Sequence, residues 1–297
     1  MVSVTQRITQ YNTQVGQPRG GLIRPTMMSF TVIDDEHGVL DHKIENLHAS
    51  VIGMAVDYLS RLVRVHVRQD EFSDSVRDVF KVSLRGADRI DTVYAGSGVA
   101  AAAEEAVSSI RFFTTDQDLA MAVIDENTVR AACQLAGYDV GGRNDPRLWN
   151  PEHGAAGRVP DQMTITHVAI MLARTQAFFA EYGPVTKDGF VFADPLRFHL
   201  GERGGYTDLV DSGDGDFVTL DTLWDLKVSA SKPTKDHTLQ LLMYFLMGKE
   251  SGLPAFAELT HVGLFNPRLG TVHRLAVANV PSDVIETIRR DVIGYVS

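Results

Sequence analysis

The stretch Phe217-Val218-Thr219-Leu220-Asp221-Thr222-Leu223-Trp224-Asp225-Leu226-Lys227-Val228 ends on an Asp-x-Lys pair. Apolar Phe217, Leu220, Leu223 and Leu226, with β-branched Val218 and Val228, predict one strand across it. Upstream, Gly205-Tyr206-Thr207-Asp208-Leu209-Val210 predicts a second strand carrying Asp208, with Asp211-Ser212-Gly213-Asp214-Gly215 as the turn between them. Neighbouring strands lie about 4.8 Å apart, so one carboxylate from each can share a cation. Asp225 and Lys227 are two residues apart and project to the same face. Leu226 faces the other way, and its carbonyl can still offer oxygen to a metal. Asp214 and Asp216 are read as shaping the turn. Asp221, four before Asp225 on that face, is read as a solvent-exposed residue or a secondary metal contact.

Outward from this pair, Thr238–Gly248 reads as a helix on which Gln240 and Tyr244 share a face, with His237 three residues before Gln240. A polar stripe on an apolar helix costs free energy unless it is hydrogen-bonded or faces a solvated site. His261–Phe265 and Thr271–Val277 form a hairpin around Asn266-Pro267-Arg268-Leu269-Gly270, which puts Arg268 at the tip as a candidate phosphate contact. Ser282–Tyr295 closes the chain as a helix. Before the strands, Gln162–Tyr182 reads as a helix ending at Gly183-Pro184, followed by a strand at Gly189–Phe192 and a loop with His199 near the substrate side. The order is α-β-β-β-α-β-β-α.

Hydrolysis of a phosphodiester needs charge neutralisation on the phosphoryl oxygens and an activated, aligned water. Magnesium or manganese held by oxygen ligands supplies both. Gly205-x-x-Asp208, Asp225-x-Lys227 and Gln240-x-x-x-Tyr244, in that order on strand, strand and helix, resemble the motif series of the RecB-like nucleases in the PD-(D/E)xK superfamily. The resemblance covers about residues 160–297. It implies an α/β (α+β) fold with a restriction-endonuclease-like αβββαβ core, a central mixed sheet flanked by helices. It also implies Mg²⁺ or Mn²⁺ on Asp208, Asp225 and the Leu226 carbonyl, and Lys227 assisting the attacking water. Gln240 and Tyr244 would support the site and contact nucleic acid. The family's further ligand on the preceding helix points to His167, with Glu181 as the fallback. Four cysteines anchor an iron–sulfur cluster in some members; Cys133 stands alone here, so no such cluster is expected.

Residues 1–25 read as a flexible lead-in, and 26–159 as a mainly helical region with a strand at Ser29–Ile33 and helices at His48–Val67, Val99–Phe113 and Asp116–Leu135. The boundary with the C-terminal unit, 160–297, is drawn through 141–160, from Gly141-Gly142-Arg143-Asn144-Asp145-Pro146 past Pro151, Gly154, Gly157 and Pro160. The Gly86, Gly96 and Gly98 region matches no phosphate-loop pattern, and no helicase-type Gly-x-x-x-x-Gly-Lys-Ser/Thr occurs.

The chain is 44% hydrophobic and 22% charged, with no run long enough to predict a membrane span and no apolar secretory core near Met1. A cytoplasmic protein with no membrane partner is expected. The net charge of −10 argues at first against a nucleic-acid partner, but residues 226–297 carry eight Lys/Arg against six Asp/Glu. The expectation is a metal-dependent deoxyribonuclease acting in repair, recombination, phage biology or anti-phage defence. Alternatives are a non-catalytic nuclease-fold scaffold or binding module, and a metal-dependent nuclease of RNA. A protein partner or homo-oligomer contact falls to the N-terminal region.

Overall fold

Leu223 and Trp224 are adjacent in sequence, so they point to opposite faces of their strand, yet both are fully buried. That strand needs cover on each side. The computed structural model, which describes residues 1–34, 36–150 and 159–295, provides it. The strands are β1 (Ser29–Val32), β2 (Phe112–Thr114), β3 (Ala120–Ala122), β4 (Lys187–Phe190), β5 (Gly215–Val218), β6 (Thr222–Leu226), β7 (His261–Asn266) and β8 (Thr271–Ala276). The helices are α1 (Val4–Gln14), α2 (Ala49–Leu62), α3 (Phe72–Val79), α4 (Lys81–Val93), α5 (Val99–Ser108), α6 (Glu126–Ala136), α7 (Asp139–Arg143), α8 (Gln162–Tyr182), α9 (Pro195–Phe198), α10 (Lys235–Glu250) and α11 (Ser282–Thr287), the last running into a π-helical turn at Ile288–Ile293.

Six strands form one mixed sheet in the order β1-β8-β7-β6-β5-β4, while β2 and β3 make a separate hairpin. β6 and β7 are parallel and the other neighbours antiparallel. A parallel pair cannot be joined by a tight turn, and α10 makes the crossover. Leu239, Leu242 and Met243 of α10 pack with Leu223, Val262 and Leu264 on one face of the sheet. On the other face Phe178 of α8 stacks on Phe265, with ring centroids 4.3 Å apart, and meets Trp224 edge-on at 4.8 Å. The result is the mixed α/β architecture that the alternation of elements implies.

The helices α2–α7 form a region inserted between β1 and α8, with its own core around Ile52, Leu59, Leu62, Phe80 and Ile90. Ile165, Val168, Met171 and Leu172, from the first half of α8, belong to that core. Phe178 in the second half belongs to the sheet. One helix, about 30 Å long at 1.5 Å per residue, thus runs through both parts. No helix among the described residues is long and apolar enough to cross a membrane.

Several sequence expectations change. The flexible lead-in is instead helix α1, closed by a reciprocal cap between Ser3 and Gln6, with Val4, Ile8 and Tyr11 buried against the sheet unit. Those three positions are one helical face, diluted in sequence by the Gln and Thr around them. The 116–135 segment is a strand, β3, and then α6, which starts where Asp125 caps the Thr128 amide. The Gly141–Asn144 break lies largely within the short helix α7. Gly154 and Gly157 fall outside the described residues. Gly205–Val210 is not a strand, and the single strand expected over 217–228 is two, β5 and β6, joined through Thr219-Leu220-Asp221.

Candidate metal centre

The hairpin β5–β6 brings two carboxylates together. Its register pairs Phe217 with Trp224 and Val218 with Leu223; continued by one residue it sets Asp216 opposite Asp225. Alternation puts both on the α10 face, with Val218 and Leu223. Asp216 Oδ2 accepts the Leu226 amide at 2.6 Å, which fixes its carboxylate beside the Asp-x-Lys segment at the end of β6. Gly215 precedes Asp216 because a Cβ there would lie 2.0 Å from the Phe190 ring of the neighbouring strand.

Asp225 is 4% exposed. Its Oδ2 lies 2.9 Å from Lys227 Nζ, an ionic contact, and is met by no well-aligned hydrogen bond. Its Oδ1 lies at the 3.5 Å limit from Gln240 Nε2, which donates a firmer bond to Tyr244 Oη at 2.9 Å. Asp57 of α2 stands close enough for its charge to act on Asp216, and is itself held by Arg61 at 2.9 Å. Burial, the Asp225 charge and the Asp57 charge push the Asp216 carboxyl well above the usual range. Burial pulls Lys227 down, but the charges of Asp225 and Asp216 outweigh it and the ammonium is favoured. Burial and then Asp225 raise the Tyr244 phenol, so it stays protonated.

These groups form one wall of an open cleft of about 930 Å³ between the sheet and the inserted helices. Asp57, Arg61, Lys81 and Arg143 line it from the helical side; Lys187, Asp214, Asp216, Asp225, Leu226, Lys227, Gln240 and Tyr244 line it from the sheet side. A smaller cavity, lined by Gly53, Met54 and Val228, also reaches Asp57, Asp216 and Leu226. No family model matches this chain, and no curated protein or solved structure matches it either.

Asp225, Leu226, Lys227, Gln240 and Tyr244 are thus brought together as the spacing predicted. Asp208 is not. It sits in a bend, its side chain 86% exposed and paired with Arg203, beside a different surface hollow. The residue that faces Asp225 is Asp216, where the sequence alone predicts a turn-shaping residue. His167 does not line the cleft: its Nδ1 lies 2.8 Å from Glu45, and the same carboxylate holds Arg268 by two bonds of 2.6 and 2.9 Å. Arg268 is 1% exposed and so offers nothing to a phosphate in solvent. Glu181 and His199 are exposed and outside the cleft lining. His237 is the third residue of α10, where it completes a reciprocal cap with Thr234. Asp221 lies just before the opposite end of β6 and pairs with Arg274. Asp214 does reach the cleft, 3.6 Å from Arg143.

The signal for Asp216 was present in length. Twelve residues is long for one strand, the usual span being about 5–6, and two apolar-alternating halves around Leu220-Asp221 fit a hairpin. Asp57 had no local signal, because only the tertiary packing of α2 brings it near. Among the described residues, Asp34, Glu36 and His37 also approach one another at ligand distance. They are surface groups, and Asp34 is already committed to Arg174.

Proposed function

We propose that this chain is a divalent-metal-dependent nuclease of the PD-(D/E)xK superfamily, hydrolysing DNA phosphodiester bonds. The observation that carries the reading is the pair Asp216 and Asp225, set face to face on the wall of an open cleft with Lys227 beside them. Two carboxylates in a desolvated position repel each other, and one lysine is a partial remedy. A buried carboxylate oxygen without an aligned donor, Asp225 Oδ2, is where an oxygen-seeking cation would be accepted. Apart from the short helix α9 between β4 and β5, the order α8-β4-β5-β6-α10-β7 follows the αβββαβ succession that this superfamily uses.

On this reading Asp216, Asp225 and the Leu226 carbonyl hold Mg²⁺ or Mn²⁺, which when bound neutralises phosphoryl charge and makes water a better nucleophile. Lys227, kept charged by its two acidic neighbours, donates to the attacking water or to a phosphoryl oxygen and does not accept the proton. Gln240, buttressed by Tyr244, steadies Asp225 from α10.

The test is cleavage of linear and circular, single- and double-stranded DNA, and of RNA, by the full chain with Mg²⁺, Mn²⁺ or EDTA. Metal-dependent cutting that is lost in Lys227→Ala supports the reading. RNA cut in place of DNA would correct the substrate. No cutting with no Mn²⁺-induced rise in melting temperature would overturn it in favour of a scaffold.

A further inference from the structure

Asp139 is 1% exposed in the helical region, and its carboxylate is held by three donors. Tyr58 Oη and Ser83 Oγ each donate to Oδ1 at 2.5 Å, and Arg143 Nε donates to Oδ2 at 3.0 Å. The two hydroxyls satisfy hydrogen bonding but bring no charge. Arg143 is the one cation paired with this buried anion among the described residues.

Much of the local structure serves to fix where Arg143 emerges. Helix α7 lies against α4 with backbone touching backbone: a Cβ on Gly86 would come 2.1 Å from the Tyr138 carbonyl oxygen, and at Gly141 and Gly142 one would come 2.6 and 2.3 Å from the carbonyl oxygens of Gly86 and Val82. Arg85 and Arg89 of α4 donate to the carbonyls of Gly142 and Gly141 at 3.0 and 2.6 Å. The C-terminal end of α7 is therefore clamped, and Arg143 is its last residue. Asp139 occupies the Nε edge of the guanidinium from behind. Arg143 lines the metal-centre cleft, where its Nη1 lies 3.6 Å from Asp214 Oδ2, an ion pair, and its Nη groups make no hydrogen bond among the described residues. The side chain is 45% exposed. Against a well-packed apolar replacement such a pair adds little net stability, although losing Arg143 alone leaves Asp139 buried without its cation. The pair is the arrangement expected of a guanidinium held ready for a planar anion.

We propose that Arg143 binds a backbone phosphate of the nucleic-acid strand in the cleft, with Asp139 as the positioning residue behind it. The inserted helical region is then part of the substrate-binding surface. Lys81 and Lys187, cleft-lining cations exposed on opposite walls, flank the same path. This inference rests on the nuclease reading and adds the residue that holds substrate away from the metal.

The experiment compares wild type with Arg143→Gln, Arg143→Lys and Asp139→Asn, all full-length. DNA cleavage with Mn²⁺ gives KM and kcat; anisotropy of a labelled DNA oligonucleotide in Ca²⁺ gives affinity against salt; melting with and without Mn²⁺ reports folding and metal binding. Arg143→Gln is expected to raise KM about tenfold, the scale of one charge-assisted hydrogen bond. It should lower the salt slope by about 1, the mark of one lost phosphate contact, and leave the Mn²⁺ shift intact. Arg143→Lys should keep the slope and recover part of KM. Asp139→Asn should raise KM with the slope retained, because the charge stays but its direction is lost. A wild-type KM and salt slope in Arg143→Gln, in a wild type that cuts DNA, would overturn this proposal and spare the nuclease reading. A wild type that neither binds nor cuts nucleic acid overturns both.

Discussion

The carboxylate of Asp216 accepts the backbone amide of Leu226 at 2.6 Å, one residue past Asp225. Through that bond β5 carries its acid to the Asp-x-Lys segment, and the two carboxylates meet although eight residues lie between them. Asp216→Asn keeps the shape and the acceptor while removing a desolvated charge. The metal-free variant should therefore be more stable than wild type, by about 1 kcal/mol. It should also lose the Mn²⁺-induced rise in melting temperature and at least about 10²-fold in cleavage rate, as for loss of one electrostatic group at a reacting centre. Asp208→Asn should change none of these. If the Asp208 variant were the inactive one, the assignment of the first ligand would return to the bend at 208.

The contrast between these two aspartates shows what the sequence made legible. Asp225 on a strand, Gln240 and Tyr244 on one helical face and the α8 helix lie where the sequence predicts them, because each is governed by a period within one element. The partner of Asp225 is set by strand register, a relation between elements, and an overlong strand moved it from Asp216 to Asp208. His167 and Arg268 were misplaced for a related reason. Glu45 engages both, and nothing near either residue in sequence announces a buried glutamate more than 100 positions away. In α1, three apolar side chains on one face outweigh a polar composition once α10 and the π-helical turn at Ile288–Ile293 offer them cover.

Gln240 and Tyr244 carry the polar stripe of a helix that is otherwise buried all round. Tyr244 Oη accepts from Gln240 Nε2 at 2.9 Å, and its ring packs on Phe192 at 5.3 Å. Tyr244→Phe keeps the packing and strands a buried amide donor, a loss of about 1–2 kcal/mol by urea unfolding. Cleavage should fall about tenfold, the range for groups that orient a metal ligand. A variant with unaltered stability and activity would mean that Gln240 finds its partner elsewhere.

Glu45 has a fully buried side chain that binds Arg268 bidentately and His167 at once. Glu45→Gln leaves the Arg268 guanidinium buried without its anion, at a cost of about 3–5 kcal/mol. Substituting His167 with Gln should cost less and leave the Mn²⁺-induced melting shift at its wild-type size, because the ring faces Glu45 and not the cleft. Loss of that shift in the His167 variant would restore it as a metal ligand.

Arg174 is 1% exposed, and its donors reach the carbonyls of Gly38, Pro267 and Arg268 and one carboxylate, Asp34 Oδ2 at 2.8 Å. The guanidinium, joined by His37 and the Glu36 amide, holds the Asp34 carboxyl far below its usual range. A depressed acid binds fewer protons folded than unfolded, so its contribution is fully present above the unfolded value of about 3.9 and is lost as pH falls toward the folded value. Urea unfolding should therefore show this contribution unchanged from about pH 5 to 7 and eroding below about pH 4. Asp34→Asn should lose about 1–2 kcal/mol at neutral pH, less than a fully buried pair because Asp34 keeps solvent contact. Its stability should also fall less steeply in acid than that of wild type. An equally steep acid loss in the variant would assign the titration to another carboxylate and reduce Arg174 to a carbonyl-bound strut between the β7–β8 turn and Gly38.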